Sequence, residues 1–381
     1  MTEGEICVTF GEVNTRPVFC AIVPPHILEH LRAHAQDPLV RAAAARSLAD
    51  DARHRQGRTL PPAPEPLLGG RAAAAPADTP ERTVSDDRHT ERLPGRTVRT
   101  EGAPPVADPA VDRAYDGLGA TFAFYLAAYG RHSVDGRGLP LDATVHYGRR
   151  YDNAFWNGSR MIFGDGDGVL FNDFTVSVDV IGHELTHGVT QYSANLDYQG
   201  QSGALNESLS DVFGSLVKQY ALGQTAAQAD WLIGAGLLAP AVHGVALRSM
   251  KAPGTAYDDP DLGTDPQPAT MVGYVTGDGD NGGVHLNSGI PNHAFYLAAT
   301  AIGGHAWERA GQIWYDVLTG GRLPPSADFA AFATATTAAA QARYGPGAET
   351  EAVRDAWTRV GVTAGHAVLD GAGVTGGIGD Y

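Results

Sequence analysis

His183-Glu184-Leu185-Thr186-His187 lies within a helical pattern. At about 100° per residue, imidazoles four positions apart return to within about 40° of one another, so both can reach one metal ion. Glu184 follows a ligand directly and stands beside the metal, where it can take a proton from metal-bound water and return it to a leaving amine. A catalytic zinc also needs a third protein ligand and an open position for water. Between Glu101 and Glu308 the sequence holds only two glutamates, Glu184 and Glu207, and Glu207 sits on the next helical segment. It is the expected third ligand. Asp211, one turn further on, is placed to accept the outer N–H of a ligand histidine, and Asn206 is counted with it in that supporting ring. Hydrolysis at such a centre develops an oxyanion, for which Tyr198 and His285 are candidate donors, although fourteen tyrosines and fourteen histidines leave other choices open.

A sizeable fold must position these groups. With 381 residues, 43% hydrophobic and 18% charged, the chain can bury a large core and divides more naturally into two domains than one. Residues 1 to about 50 read as a unit of their own, with an apolar run at 18–23, then Pro24 and Pro25, then a helix. The segment 55–97, rich in Pro, Ala, Arg and Asp, reads as an exposed connection. A helix is expected after Asp112, strands at 144–147, 160–163 and 174–178, and a turn at the Gly-Asp repeat 164–168. From Asp179 onward the periods are helical, at 180–191, 205–221, 293–302, 307–319 and 327–343, and a peripheral Gly-rich tail follows Gly365. This order, β-rich then α-rich, predicts an α+β protein of two lobes without internal repeats.

The formal balance of 27 basic and 43 acidic residues gives −16, which argues against nucleic acid or an anionic membrane surface as partner. No run of eighteen apolar residues occurs, and the start MTEGEICVTFGEV has acids where a signal peptide needs a basic region. The expectation is a chain that stays in the cytoplasm or leaves by a leaderless route. Two cysteines, Cys7 and Cys20, exclude a disulfide framework and a multi-cysteine zinc site, and both read as incidental thiols.

VHYGRRYDNAFWNG (145–158), GDGDG (164–168), DVIGHELTHGVTQY (179–192), SGALNESLSD (202–211), LRSM (247–250) and DNGGVHLNSG (280–289) together resemble, in order, the blocks of thermolysin-like zinc metalloproteases. The resemblance implies a two-lobed zincin, with a β-rich N-terminal lobe and an α-helical C-terminal lobe joined by the catalytic helix. It implies that His183, His187 and Glu207 bind one Zn2+, that Glu184 is the general base, and that Tyr198 and His285 stabilise the oxyanion while Asp280 orients His285. Asn153 and the backbone of Ala154 would hold a protein or peptide substrate, and Arg248 would bind one of its carbonyls. Phe171, Phe174, Val180 and Leu247 would line a pocket favouring cleavage before bulky apolar residues.

CAIVPPHIL (20–28) is similar to the prosegment block of the protealysin-like branch. That likeness implies an intramolecular inhibitor, removed on maturation, that contacts the cleft through Pro24, Pro25 and Leu28. The expected division is a prosegment and linker at 1–70, cut between about 50 and 80, a β-rich lobe with the catalytic helix at 71–200, and a helical lobe with the tail at 201–381. The family's double calcium site near Asp179 has Lys218, Leu232 and Ala235 at matching positions, so that Ca2+ site is expected to be absent. Asp258, Asp259, Asp261 and Asp265 read as a solvated acidic loop rather than a Ca2+ site. Two rival readings, a binding module on the same fold and a non-proteolytic zinc hydrolase, run against the complete set of competent residues and against the peptide-gripping Asn153 and Arg248.

Overall fold

The computed structural model describes residues 20–57 and 77–363; Cys7, the stretch 58–76 and the tail after Gly365 lie outside them. β1 (Cys20–Ala21) leads through Pro24 into α1 (Pro25–His34), where a proline at the first helical position supplies a ready-made φ at no cost in hydrogen bonds. Ile27, Leu28 and Leu31 form the buried face of α1, which packs against α2 (Pro38–Gly57).

β2 (Arg82–Asp86), β3 (Arg96–Thr100), β4 (Leu141–Val145), β5 (Ala154–Trp156) and β6 (Arg160–Phe163) join β1 in a six-stranded sheet of order β1-β5-β6-β4-β2-β3. β4 runs parallel to β2 and β6, and the other pairs are antiparallel. α3 (Pro109–Tyr129) packs on this sheet, capped at its start by the Asp108 carboxylate and at its end by Gly130 in a left-handed conformation. The expectation of an exposed connection across 55–97 is corrected here: α2 runs to Gly57, and β2 lies inside the sheet with Val84 fully buried. Strands of five residues carrying Arg, Thr and Ser show little apolar periodicity, and their burial comes from partners far along the chain. The strand expected at 174–178 is instead a 3-10 turn, closed where the Asp173 carboxylate accepts from the Thr175 N–H, and it feeds directly into a helix.

That helix, α4 (Val178–Gln191), is buried along nearly its whole length and crosses α5 (Gly200–Leu222) closely. The approach depends on two glycines. A Cβ on Gly214 would stand 2.5 Å from the Asp179 carbonyl and 2.9 Å from the His183 amide, and one on Gly182 would stand 3.1 Å from the Gly214 Cα. Two short hairpins follow, β7 (Leu232–Ile233) with β8 (Arg248–Ser249), and β9 (Asp258–Asp259) with β10 (Gly263–Thr264). The remainder is helical: α6 (Asp280–Asn287), α7 (Gly289–Ile302), α8 (Ala310–Thr319), α9 (Phe329–Tyr344) and α10 (Ala348–Arg359). α6 and α10 are additions to the expected elements. A β-rich N-terminal region and a helical C-terminal domain thus flank α4, sharing one continuous apolar core. Among the described residues no helix is long and apolar enough to cross a membrane.

Candidate metal centre

α4 presents His183 and His187 one turn apart, and the close crossing at Gly182 and Gly214 brings Glu207 of α5 up to both. The two Nε2 atoms are 3.1 Å apart; Glu207 Oε2 is 3.7 Å from that of His183 and Oε1 is 3.5 Å from that of His187. The outer nitrogens fix the tautomers. His183 Nδ1 donates to Asp211 Oδ1 at 2.8 Å, and His187 Nδ1 donates to Asn206 Oδ1 at 2.9 Å, with the Asn206 amide group turned to the Leu196 carbonyl. Both Nε2 lone pairs therefore point at each other and at a carboxylate inside a buried pocket, an arrangement suited to a metal cation. Ligands about 2.0–2.3 Å from a tetrahedral ion lie roughly 3.3–3.8 Å apart, so the donor set fits zinc.

Burial pushes His187 down to about 4, which keeps it a neutral ligand. For Glu207 burial acts upward, but the His285, His187 and His183 rings together with Arg248 hold it down at about 2. Asp211 is also buried, yet Arg248 and His183 keep it well below the usual carboxylate range. Its Oδ2 accepts from Arg248 Nε and Asn292 Nδ2, and its Oδ1 from Arg248 Nη2, each at 2.8 Å. Sequence reading anticipates Asp211 but misses Asn292, and it assigns Arg248 to substrate alone.

Glu184, fully buried on α4, accepts through Oε2 from the Trp156 amide of β5 at 3.0 Å. Four successive left-handed residues, Asp280, Asn281, Gly282 and Gly283, open α6 and fold the Asp280 carboxylate back onto His285. Asp280 Oδ1 lies 2.6 Å from His285 Nδ1, and Oδ2 accepts from the His285 amide at 2.9 Å. Burial acts downward on His285, but Asp280 and Glu207 outweigh it and raise its pKa, leaving an N–H at Nε2 that faces the centre. The Tyr198 hydroxyl donates to Glu207 Oε1 and lies 3.2 Å from His285 Nε2.

The outer side of β5 is taken by the chain's own N-terminal segment. β1 pairs antiparallel with β5, Cys20 opposite Trp156 and Ala21 opposite Phe155. The Ile22 amide donates to the Ala154 carbonyl at 3.0 Å, and Arg248 Nη1 donates to the Ile22 carbonyl at 3.0 Å. Asn153 grips Val23 twice, accepting its amide at 2.8 Å and donating to its carbonyl at 3.2 Å. From α2, Asp51 accepts from the Tyr151 hydroxyl at 2.6 Å and from Asn153 Nδ2 at 3.1 Å, while Ser47 accepts the Asp152 amide. The cavity remaining between Cys20, Pro25, Tyr198 and His285 measures about 10 Å3, the scale of one water.

Of the expected segment contacts, Pro24 and Leu28 are buried and Pro25 borders this cavity, but residues 20–23 make the backbone bonds. Sequence reading missed Cys20, Ile22, Val23, Ser47 and Asp51, whose roles depend on packing across more than a hundred residues. Phe171, Phe174, Val180 and Leu247 are all buried, with the first two rings 5.9 Å apart, and share the main core with Ile22, Val23 and Leu28.

At the start of α4, Asp179 Oδ2 lies 2.6 Å from Nζ of Lys218 on α5, and that ammonium is also 2.9 Å from Asp230 Oδ1 and 2.6 Å from the Leu232 carbonyl. Ala235 is held by the Ser177 hydroxyl. In the acidic loop, Asp259 accepts the His243 and Asp261 amides, Asp265 accepts the Gly254 and Ala256 amides, Asp258 accepts the Thr264 hydroxyl, and Asp261 accepts the Gln36 amide.

Two family models match the chain: the thermolysin metallopeptidase catalytic domain over residues 88–191 and the thermolysin metallopeptidase alpha-helical domain over 194–362. An extracellular metalloprotease of Pectobacterium carotovorum is 53% identical over 352 residues, covering 92% of this chain and 98% of the relative. Protease PrtS of a Photorhabdus species is 51% identical over 288 residues, covering 75% and 77%. Among solved structures, the precursor of protealysin, a metalloproteinase from Serratia proteamaculans, is similar with a TM-score of 0.81 and 51% identity, covering 90% of this chain and 100% of that one.

Proposed function

The chain belongs to the thermolysin metallopeptidase family as a metalloprotease precursor of the protealysin type, and from that premise we propose a latent zinc endopeptidase that its N-terminal segment keeps closed. The observation that carries the zinc reading is the convergence of His183 Nε2, His187 Nε2 and the Glu207 carboxylate, with both outer nitrogens committed to Asp211 and Asn206. Zinc bound there supplies a Lewis acid that makes water nucleophilic near neutral pH and polarises the scissile carbonyl.

The chain's own groups do the rest. Glu184, aimed by the Trp156 amide, takes a proton from the attacking water and delivers it to the leaving amine. His285, held by Asp280, and Tyr198 donate to the oxyanion; the Tyr198 hydroxyl must leave Glu207 to do so. Asn153, Ala154 and Arg248 hold an extended substrate as they hold residues 22 and 23. Phe171, Phe174, Val180 and Leu247, all buried and apolar, support cleavage before bulky apolar residues. The ammonium of Lys218 between Asp179 and Asp230 supports a fold that takes no calcium at that place.

On this reading the segment blocks the cleft by standing where substrate would lie, and it is removed between about 50 and 80, with lobes at 71–200 and 201–381 as expected above. Glu184→Ala is the test. Elemental analysis should find one zinc per chain, turnover of casein or a defined peptide should fall by about 10²–10⁴-fold, and the N-terminal segment should stay attached. Undiminished turnover, or a wild-type chain purified without zinc, refutes the assignment.

A further inference from the structure

Cys20 is the group at the centre that this chemistry leaves unused. Its Sγ joins His183, His187 and Glu207 in one set of buried ligand atoms, all within 4.8 Å of one another. Four donors, two N, one O and one S, make up the full number that a closed zinc site takes, whereas a catalytic site keeps one position open. The sheet brings the thiol there. Successive side chains of a strand face opposite ways, so Ala21 enters the small apolar cluster of Tyr147, Tyr151, Phe155 and Ile162 while Cys20 faces the centre. The bonds from Asn153, Ala154 and Arg248 to residues 22 and 23 lock that register, and a slip of one residue would turn the thiol away.

We propose that Cys20 is the fourth zinc ligand of the uncleaved chain, so that the N-terminal segment silences the centre by closing its coordination as well as by filling the cleft. The proposal rests on the zinc reading of His183, His187 and Glu207. An extended segment held by substrate-gripping groups is in place to be cut, and a closed coordination sphere is what keeps it intact. On binding, the thiol would release its proton to solvent and a sulfur–zinc bond would replace a zinc–water bond, the water leaving to solvent. When the segment departs that bond breaks, the thiolate regains a proton from solvent, and water takes the position; no oxidant or reductant is involved.

Zinc K-edge X-ray absorption on the full-length chain carrying Glu184→Ala, which retains its segment, should show one sulfur neighbour at about 2.3 Å. Adding Cys7→Ser should keep that neighbour; adding Cys20→Ser should reduce it from one to none, as should maturation of the wild-type enzyme. Cobalt(II) in place of zinc gives a second readout, a thiolate charge-transfer band present in the full-length chain and lost with Cys20→Ser. Zinc bound through nitrogen and oxygen alone in the full-length chain overturns the thiolate ligand and leaves the three-ligand site standing. A full-length chain that binds no zinc overturns both. Should Cys20→Ser not fold, comparison of the full-length chain with the mature enzyme distinguishes the same outcomes.

Discussion

Asp211 shows how much of the centre depends on one carboxylate. It orients His183, pairs in bidentate fashion with the buried Arg248 and accepts from Asn292, so four hydrogen bonds from three residues converge on it. Asp211→Ala leaves the Arg248 charge buried without its partner, an expected loss of about 3–5 kcal/mol of stability. It also frees the His183 ring, and zinc affinity should fall roughly 10–100-fold. Thermal melts and competition with a chelator measure the two effects, and unchanged zinc affinity would remove Asp211 from the supporting ring. At this scale the sequence was informative where geometry is local. His183 and His187 share a helix, and Asp211 follows Glu207 by one turn. Asn292 and Cys20 carried no such signal, because their neighbours at the centre are 81 and 265 positions away.

The elements around the centre are tied at their ends by charged groups, and one tie is sensitive to pH. His146 joins Asp108, the cap of α3, at 3.1 Å to Asp165 of the Gly-Asp loop at 2.8 Å. These bonds, Asp165 first, raise its pKa to about 9 against the opposing effect of burial. A pKa raised on folding means that the stabilisation is complete below about 6.5 and is lost as pH rises through about 9. With Asp108 partly open to solvent, the contribution should be of order 1–3 kcal/mol. Melting temperature should therefore fall between pH 6.5 and 9, and His146→Asn should flatten that slope; asparagine tolerates the left-handed φ of 54° at this position. An unaltered slope would exclude His146 as its source. α3, α4, α5, α7, α8 and α9 were legible from their 3.6-residue period, whereas the 20-residue α2, the strands β2 and β3, and the 3-10 turn at Phe174–Val176 depended on partners and capping that no short window displays.

Across the whole molecule, the N-terminal segment completes both the sheet and the centre. β1 adds to β5, and α2 reaches the same end of the sheet through Asp51, which holds Tyr151 and Asn153. Asp51→Ala removes hydrogen bonds to a charged acceptor, worth about 1.5–3 kcal/mol, and activity should emerge from the full-length chain roughly 10–100-fold faster. A time course of activity after purification checks this, and a wild-type rate would place the latch elsewhere. Taken alone, the sequence picked out His183, His187 and Glu207 as one metal-binding set and predicted the division into a β-rich and a helical part. Each follows from spacing along one helix, from the scarcity of glutamate or from the order of periodic segments. Only the tertiary structure decided which face of β1 meets the centre, and hence that Cys20 rather than Ala21 stands among the ligands. Strand register is set by pairing with a segment more than a hundred residues away, and a shift of one position would reverse every side chain it presents.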